Sequence, residues 1–63
     1  SVISKFPPVL SVLQDADTGV LALYDATTKH FSSIEDFMDT LDCLFALKRI
    51  RYDAEREVLC YVA

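Results

Sequence analysis

Residues 32–62, SSIEDFMDTLDCLFALKRIRYDAEREVLCYV, decide the fold because they predict an amphipathic helix that runs into a β-hairpin. Ser32 is placed to cap the helix, and Glu35, three residues on, is placed to bond back to the cap. Apolar residues then recur at steps of three and four, as on the core-facing side of a helix. They are Ile34, Phe37, Met38, Leu41, Leu44 and Phe45, and the opposite side carries Glu35, Asp36, Asp39, Thr40 and Asp42.

The residues after Arg49 alternate with the period of a β-strand, since Ile50 and Tyr52 flank Arg51. Residues 53–56 are mostly polar and predict a turn, and residues 58–62 are rich in β-branched and aromatic side chains, which predicts a second strand. No Asn-Gly or Asp-Gly pair is present, so the turn type is left open. A capped helix followed by a hairpin is the second half of a winged-helix domain.

The N-terminal half gives weaker signals. Phe6-Pro7-Pro8 favours an extended segment over residues 1–13, with residues 9–13 left open between a short strand and a first helical turn. The caps available to a first helix are Asp15, Asp17 and Thr18. We therefore expect a single α+β domain over residues 1–63, winged-helix-like, with helices at about 17–27 and 33–48 and hairpin strands at about 50–53 and 57–62.

Composition bounds the class of protein. A chain of 63 residues forms one small domain, which buries only about 60% of its unfolded surface. Yet 52% of its residues are hydrophobic, so some of that surface is expected to meet a partner. Cys43 and Cys60 are interpreted as buried free thiols, which suits a reducing compartment. No apolar run reaches the roughly 20 residues of a membrane span, and no signal segment begins the chain, so we expect a soluble, cytoplasmic protein.

The sequence predicts no catalytic, metal or cofactor site. The single histidine, His30, lies in a polar linker without a recognisable nucleophile or acid pattern. Asp36, Asp39 and Asp42 share one side of the predicted helix, but such a run is usually a solvated face. One glycine is too few for a phosphate-binding loop.

Two motifs resemble a known family. The run at 39–50, DTLDCLFALKRI, followed by Tyr52-Asp53 and a closing strand, resembles the "ALDLLFALGRIDYD" ending of small middle components of bacterial ABC-three-component systems. Phe6-Pro7-Pro8 resembles their "FxPP" opening. The resemblance implies a small winged-helix subunit that accompanies an SMC-like ABC ATPase and a separate effector, in some cases in anti-phage defence operons of the Lamassu type. It implies an adaptor, with protein partners, and not an enzyme.

The chain departs from this family in one respect. Family members have room for another helix between the first helix and the capped one, whereas only residues 27–32 separate them here. We therefore expect a trimmed variant of the winged helix, or a different small family with the same ending.

A partner surface is predicted at the end of the capped helix. At 100° per residue, Cys43, Ala46 and Leu47 fall on the acidic side, so they do not share a core with Leu41 and Phe45. Either the hairpin folds over them or they form an apolar edge for another subunit. The second interpretation gives a partner-binding set of Cys43, Ala46, Leu47, Arg49, Arg51, Leu59 and Tyr61.

Three classes of function fit these observations. An interaction subunit fits the apolar excess and the lack of catalytic groups. A DNA-binding regulator fits a winged helix, but its reading helix would show acids to the DNA on a chain of net charge −4, so no direct DNA binding is expected. A small enzyme or toxin is the third class. Homo-oligomerisation is left open.

Overall fold

The computed structural model describes residues 2–63 and contains three α-helices followed by a two-stranded antiparallel hairpin. The helices are α1 (Phe6–Asp15), α2 (Val20–Thr27) and α3 (Ile34–Ala46), and the strands are β1 (Ile50–Asp53) and β2 (Val58–Tyr61). Short 3₁₀ turns occupy Ile3–Lys5 and Thr28–His30. The α+β class, the hairpin and the two expected helices are confirmed.

Helix α1 corrects the prediction for the N-terminal segment. The extended interpretation was wrong for residues 3–13, which form a 3₁₀ turn and most of α1. Ser1 lies outside the described residues. Pro7 and Pro8 lie in the first turn of α1, where backbone amides have no partner within the helix and a fixed φ suits helical backbone. Val9, Leu10 and Leu13 then enter the core. The domain therefore has three helices, and the expected trimmed, two-helix version was also wrong.

The connection between α1 and α2 is tied to the hairpin by a single antiparallel bridge between Thr18 and Leu59. The Thr18 amide donates to the Leu59 carbonyl at 3.0 Å, and the Leu59 amide donates to the Thr18 carbonyl at 2.8 Å. Thr18 therefore pairs as a β-bridge residue and does not cap α2. Gly19 is the N-cap of α2, so the predicted caps Asp15, Asp17 and Thr18 were wrong. Strand β2 is hydrogen-bonded on both edges as a result.

The N-cap of α3 lies one residue later in the chain than predicted. Ser33 is the N-cap, and its side chain accepts a 3.1 Å hydrogen bond from the Asp36 amide. The Asp36 carboxylate in turn accepts from the Ser32 amide at 3.2 Å. The predicted capping box of Ser32 and Glu35 is therefore wrong: Ser33 caps the helix, and Asp36 bonds back to the residue before the cap.

The core is built from all five elements, and its buried apolar residues are Val9, Leu10, Leu13, Leu23, Phe37, Leu41, Leu44, Ile50 and Leu59. Two predictions about α3 need correction. Thr40 was placed on the polar side, but it is fully buried, and its hydroxyl donates to the Asp36 carbonyl at 3.0 Å. Ile34, Met38 and Phe45 were placed in the core, but they are 44%, 43% and 39% exposed.

The end of α3 adopts a Schellman motif that turns the chain into β1. The Arg49 amide donates to the Leu44 carbonyl and the Lys48 amide to the Phe45 carbonyl, both at 2.9 Å. Lys48 is the left-handed residue of this motif, with φ at 58°, a region that glycine tolerates without cost. The lysine side chain therefore strains the turn that joins the helix to the sheet.

Replacing Lys48 by glycine should stabilise the domain by about 0.5–1 kcal/mol, because relief of the left-handed strain exceeds the added entropy of the unfolded chain. The midpoint of thermal unfolding should rise by about 2–8 °C for a domain of this size. Lys48→Ala is the matched control, since it removes the charge but keeps the Cβ, and should give no such rise. Equal gains for Ala and Gly would show that charge, not backbone strain, limits this position.

Candidate docking surface

Helix α3 presents three acids on the side opposite its buried residues. Glu35, Asp39 and Asp42 lie within about 60° of one another around the helix at 3.6 residues per turn, and all three are exposed. We name them the acidic ridge. Within residues 2–63 none of the three takes part in an ion pair, because the pairs there join Lys5 to Asp36 and Arg56 to Asp17 and Asp53.

An apolar groove lies along one side of the acidic ridge. Its volume is about 540 Å³, and we name it the α3 groove. One wall is the C-terminal part of α3 and the other is the start of the chain, with Val2, Ile3, Phe6, Cys43, Ala46 and Leu47 as the lining residues. Leu47 is 60% exposed and Ile3 is 70% exposed. The groove therefore presents aliphatic and aromatic surface to solvent.

A second apolar surface lies on the other side of the ridge. Ile34, Met38 and Phe45 follow one another along α3 at helical spacing and form what we name the apolar stripe. Each is only partly covered by the core beneath it. The exposed half of α3 thus has an acidic centre between two apolar edges.

An ion pair holds the N-terminal wall of the groove in place. The Lys5 ammonium bonds to the Asp36 carboxylate at the start of α3 and lies 5.6 Å from the centre of the Phe31 ring. Hydrogen bonding from Lys5 and from the Ser32 amide lowers the pKa of Asp36 below its usual range. The N-terminal 3₁₀ turn is thereby tied to the helix that forms the opposite wall.

The hairpin carries a second polar network, around Arg56. Its guanidinium bonds Asp17 at 2.7 Å and Asp53 at 2.8 Å, and this hydrogen bonding lowers the pKa of both carboxyls. Because Asp17 lies in the connection between α1 and α2, the pair of bonds ties the hairpin tip to that connection. The network is structural support for the sheet and leaves Arg56 less available to a partner.

The predicted partner-binding residues fall into different environments. Cys43, Ala46 and Leu47 meet in the α3 groove. Arg49 and Arg51 are exposed and Tyr61 is half-buried, with its pKa lowered by hydrogen bonding to Gln14 and Arg49. Leu59 was wrongly assigned to the surface, since it is 1% exposed and belongs to the core face of β2.

The alternative that the hairpin covers Cys43, Ala46 and Leu47 is also wrong, because the N-terminal segment is the element that faces them. Sequence reasoning missed this second wall, formed by Val2, Ile3 and Phe6. The available signal was their apolar spacing just before two prolines, which fits a 3₁₀ turn leading into a helix N-terminus.

Cys43 and Cys60 are both free thiols as predicted; Cys60 is buried, whereas Cys43 is only partly so. Within residues 2–63, no group of three or more His, Cys, Asp or Glu side chains is placed to hold a metal ion. No helix in the same range is long and apolar enough to cross a bilayer.

Comparison with known proteins identifies the family. The sequence matches the family described as ABC-three component (ABC-3C) system Middle Component 7 over residues 1–59. The chain belongs to this family. A Middle Component 7 protein is one part of a multi-protein system, so protein partners are implied. No curated protein and no solved structure matches the chain.

Leu47→Asp should leave this Middle Component 7 chain folded, with a change in unfolding free energy within about 0.5 kcal/mol, because the side chain is largely in water. Leu44→Asp is the matched comparison three residues earlier, where the side chain is fully buried. An unpaired buried carboxylate should unfold so small a domain. Circular dichroism and thermal melts distinguish the two variants, and loss of structure in Leu47→Asp would show that the groove is part of the core.

Proposed function

We propose that the protein is a non-catalytic, winged-helix adaptor of its three-component system, which links an SMC-like ABC ATPase to an effector in an anti-phage defence system. It acts in the cytoplasm by holding other subunits together. The proposal combines membership of the Middle Component 7 family with the surface of α3.

The observation that carries the proposal is the pair of apolar edges on α3. Exposed apolar patches mark interaction sites on proteins, and here Leu47, Met38 and Phe45 are 60%, 43% and 39% exposed. The α3 groove and the apolar stripe lie on opposite sides of the acidic ridge. Two separate surfaces on one helix suit a subunit that contacts two others.

The electrostatics of α3 oppose the alternative of a DNA-binding regulator. In a winged helix the helix before the hairpin enters the major groove, where it needs Lys or Arg against the phosphates. Here that helix presents Glu35, Asp39 and Asp42 to solvent. Arg49 and Arg51 lie beyond its end, and we assign them to protein docking.

An enzymatic role has little support in the described residues. His30 is exposed in the 3₁₀ turn between α2 and α3, and the nearby Ser33 hydroxyl is occupied by the Asp36 amide. The α3 groove is lined by apolar side chains, and its one nucleophile is Cys43. These features favour binding over bond-making chemistry.

Affinity purification of the tagged chain, expressed with the ATPase and effector subunits of its own system, tests the adaptor role. We expect both subunits to co-purify, and the effector to separate from the ATPase when the chain is omitted. Met38→Asp and Phe45→Asp should remove one subunit without unfolding the domain. Leu21→Asp, at a still more exposed apolar residue on α2, should remove neither subunit. An ATPase–effector complex that forms without the chain would contradict the proposal.

The isolated chain should not bind duplex DNA at physiological salt, at concentrations where non-specific binders reach dissociation constants of about 10⁻⁴–10⁻⁶ M. Fluorescence anisotropy with a labelled duplex measures this. Micromolar affinity that falls steeply with added salt would restore the regulator hypothesis. Charge reversal at Arg49 and Arg51 completes the test, because loss of a protein complex in the absence of DNA assigns these residues to docking.

A further inference from the structure

We propose that the α3 groove receives an amphipathic, basic segment of another subunit, with its apolar side chains in the groove and its Lys or Arg side chains against Asp39 and Asp42. This inference rests on the proposed adaptor function and states the chemistry of one of its two contacts.

The shape and lining of the groove define the apolar part of the segment. All six lining residues are apolar or, in the case of Cys43, weakly polar, and the volume of about 540 Å³ lies within the range of sites that bind specific ligands. One wall is the C-terminal end of α3, which presents Cys43, Ala46 and the C-cap residue Leu47 to the groove. Helices that dock in such grooves do so through apolar residues three and four positions apart.

Charge defines the polar part of the segment. Asp39 lies one helical turn before Cys43, and Asp42 one turn before Ala46, so two carboxylates border the groove. Within residues 2–63 neither has an ion-pair partner, whereas the neighbouring Asp36 is paired with Lys5. On a chain of net charge −4, cationic residues of a partner would offset this local excess of negative charge.

The charges also give the segment a direction. Lys48 follows Leu47 at the far end of the groove, so the rim changes from acidic to basic along α3. The basic part of the segment therefore lies toward the N-terminal end of α3. A second copy of this chain fits less well, because its α3 would bring another acidic ridge to the interface.

Two variants of the full chain test the inference by isothermal titration against the ATPase and effector subunits. Leu47→Asn removes groove surface, and the double variant Asp39→Lys/Asp42→Lys reverses the rim charge. Each should weaken the binding of the same subunit by about tenfold or more, because Leu47 lies in the groove itself and the reversed charges would repel the cations of the segment. Leu21→Asn and Asp25→Lys, on the exposed surface of α2, are the matched controls and should stay within about twofold of the original affinity.

A designed helical peptide of Leu and Lys, about five turns long, supplies a probe that does not depend on the adaptor role. It should bind the chain and shift the amide resonances of Cys43 and Leu47, whereas a Leu and Glu peptide of the same pattern should not. Both variants should weaken binding of the Leu and Lys peptide.

The outcomes separate the two proposals. If a subunit binds but neither variant affects it, the groove inference is wrong and the adaptor role stands. If the Leu and Lys peptide binds as expected but no subunit does, the adaptor role is wrong and the groove chemistry stands. Tighter subunit binding by the Asp39→Lys/Asp42→Lys variant, or self-association that Leu47→Asn abolishes, would overturn the basic segment as the occupant.

Discussion

The backbone pairing of Thr18 with Leu59 is the contact on which the rest of the fold depends. Leu59 pairs with Tyr52 of β1 in the hairpin, while its amide and carbonyl bond Thr18 on the other edge. Its side chain is buried among residues of all three helices. One residue of β2 therefore joins the hairpin to the connection between α1 and α2, and so fixes α1 against the sheet. The Arg56 ion pairs to Asp17 and Asp53 reinforce the same junction from the surface.

Helix α3 packs against this framework through a single row of buried residues. The helix inserts Phe37, Leu41 and Leu44 into the core, and Tyr24 and Phe31 pack around Phe37 with ring centres 4.9 Å and 5.3 Å away. Apolar residues to either side of that row find no space beneath the helix. They become the α3 groove and the apolar stripe, so the surface that suits partners follows from the small size of the core.

The C-terminal half of the fold could be predicted because local signals agree there. Acids in the first turn, apolar residues at helical spacing and a change to period two all mark α3 and the hairpin. Helix α1 could not be identified in the same way, since two consecutive prolines also suit extended chain, and only packing of Val9, Leu10 and Leu13 into the core selects the helix. Thr40 was misplaced for a related reason: its buried hydroxyl is satisfied by the Asp36 carbonyl, which composition does not reveal.

The docking surface was predicted in part. Helical periodicity alone separated Cys43, Ala46 and Leu47 from the core, but the element that faces them depends on where α1 begins. The burial of Leu59 could not be predicted, because strand alternation does not tell which face of a two-stranded hairpin is covered. The Thr18 bridge and the core contacts of Leu59 decide that question.

The chain has a single methionine, Met38, and its side chain lies on the apolar stripe, away from the α3 groove. The ¹³C-methyl NMR signal of this residue therefore reports on one of the two surfaces alone. If the protein bridges two subunits through opposite sides of α3, one subunit should shift or broaden the Met38 signal. The other should bind without affecting that signal, and both should bind at once. A Met38 signal that stays unchanged when both subunits are bound would contradict the two-sided account.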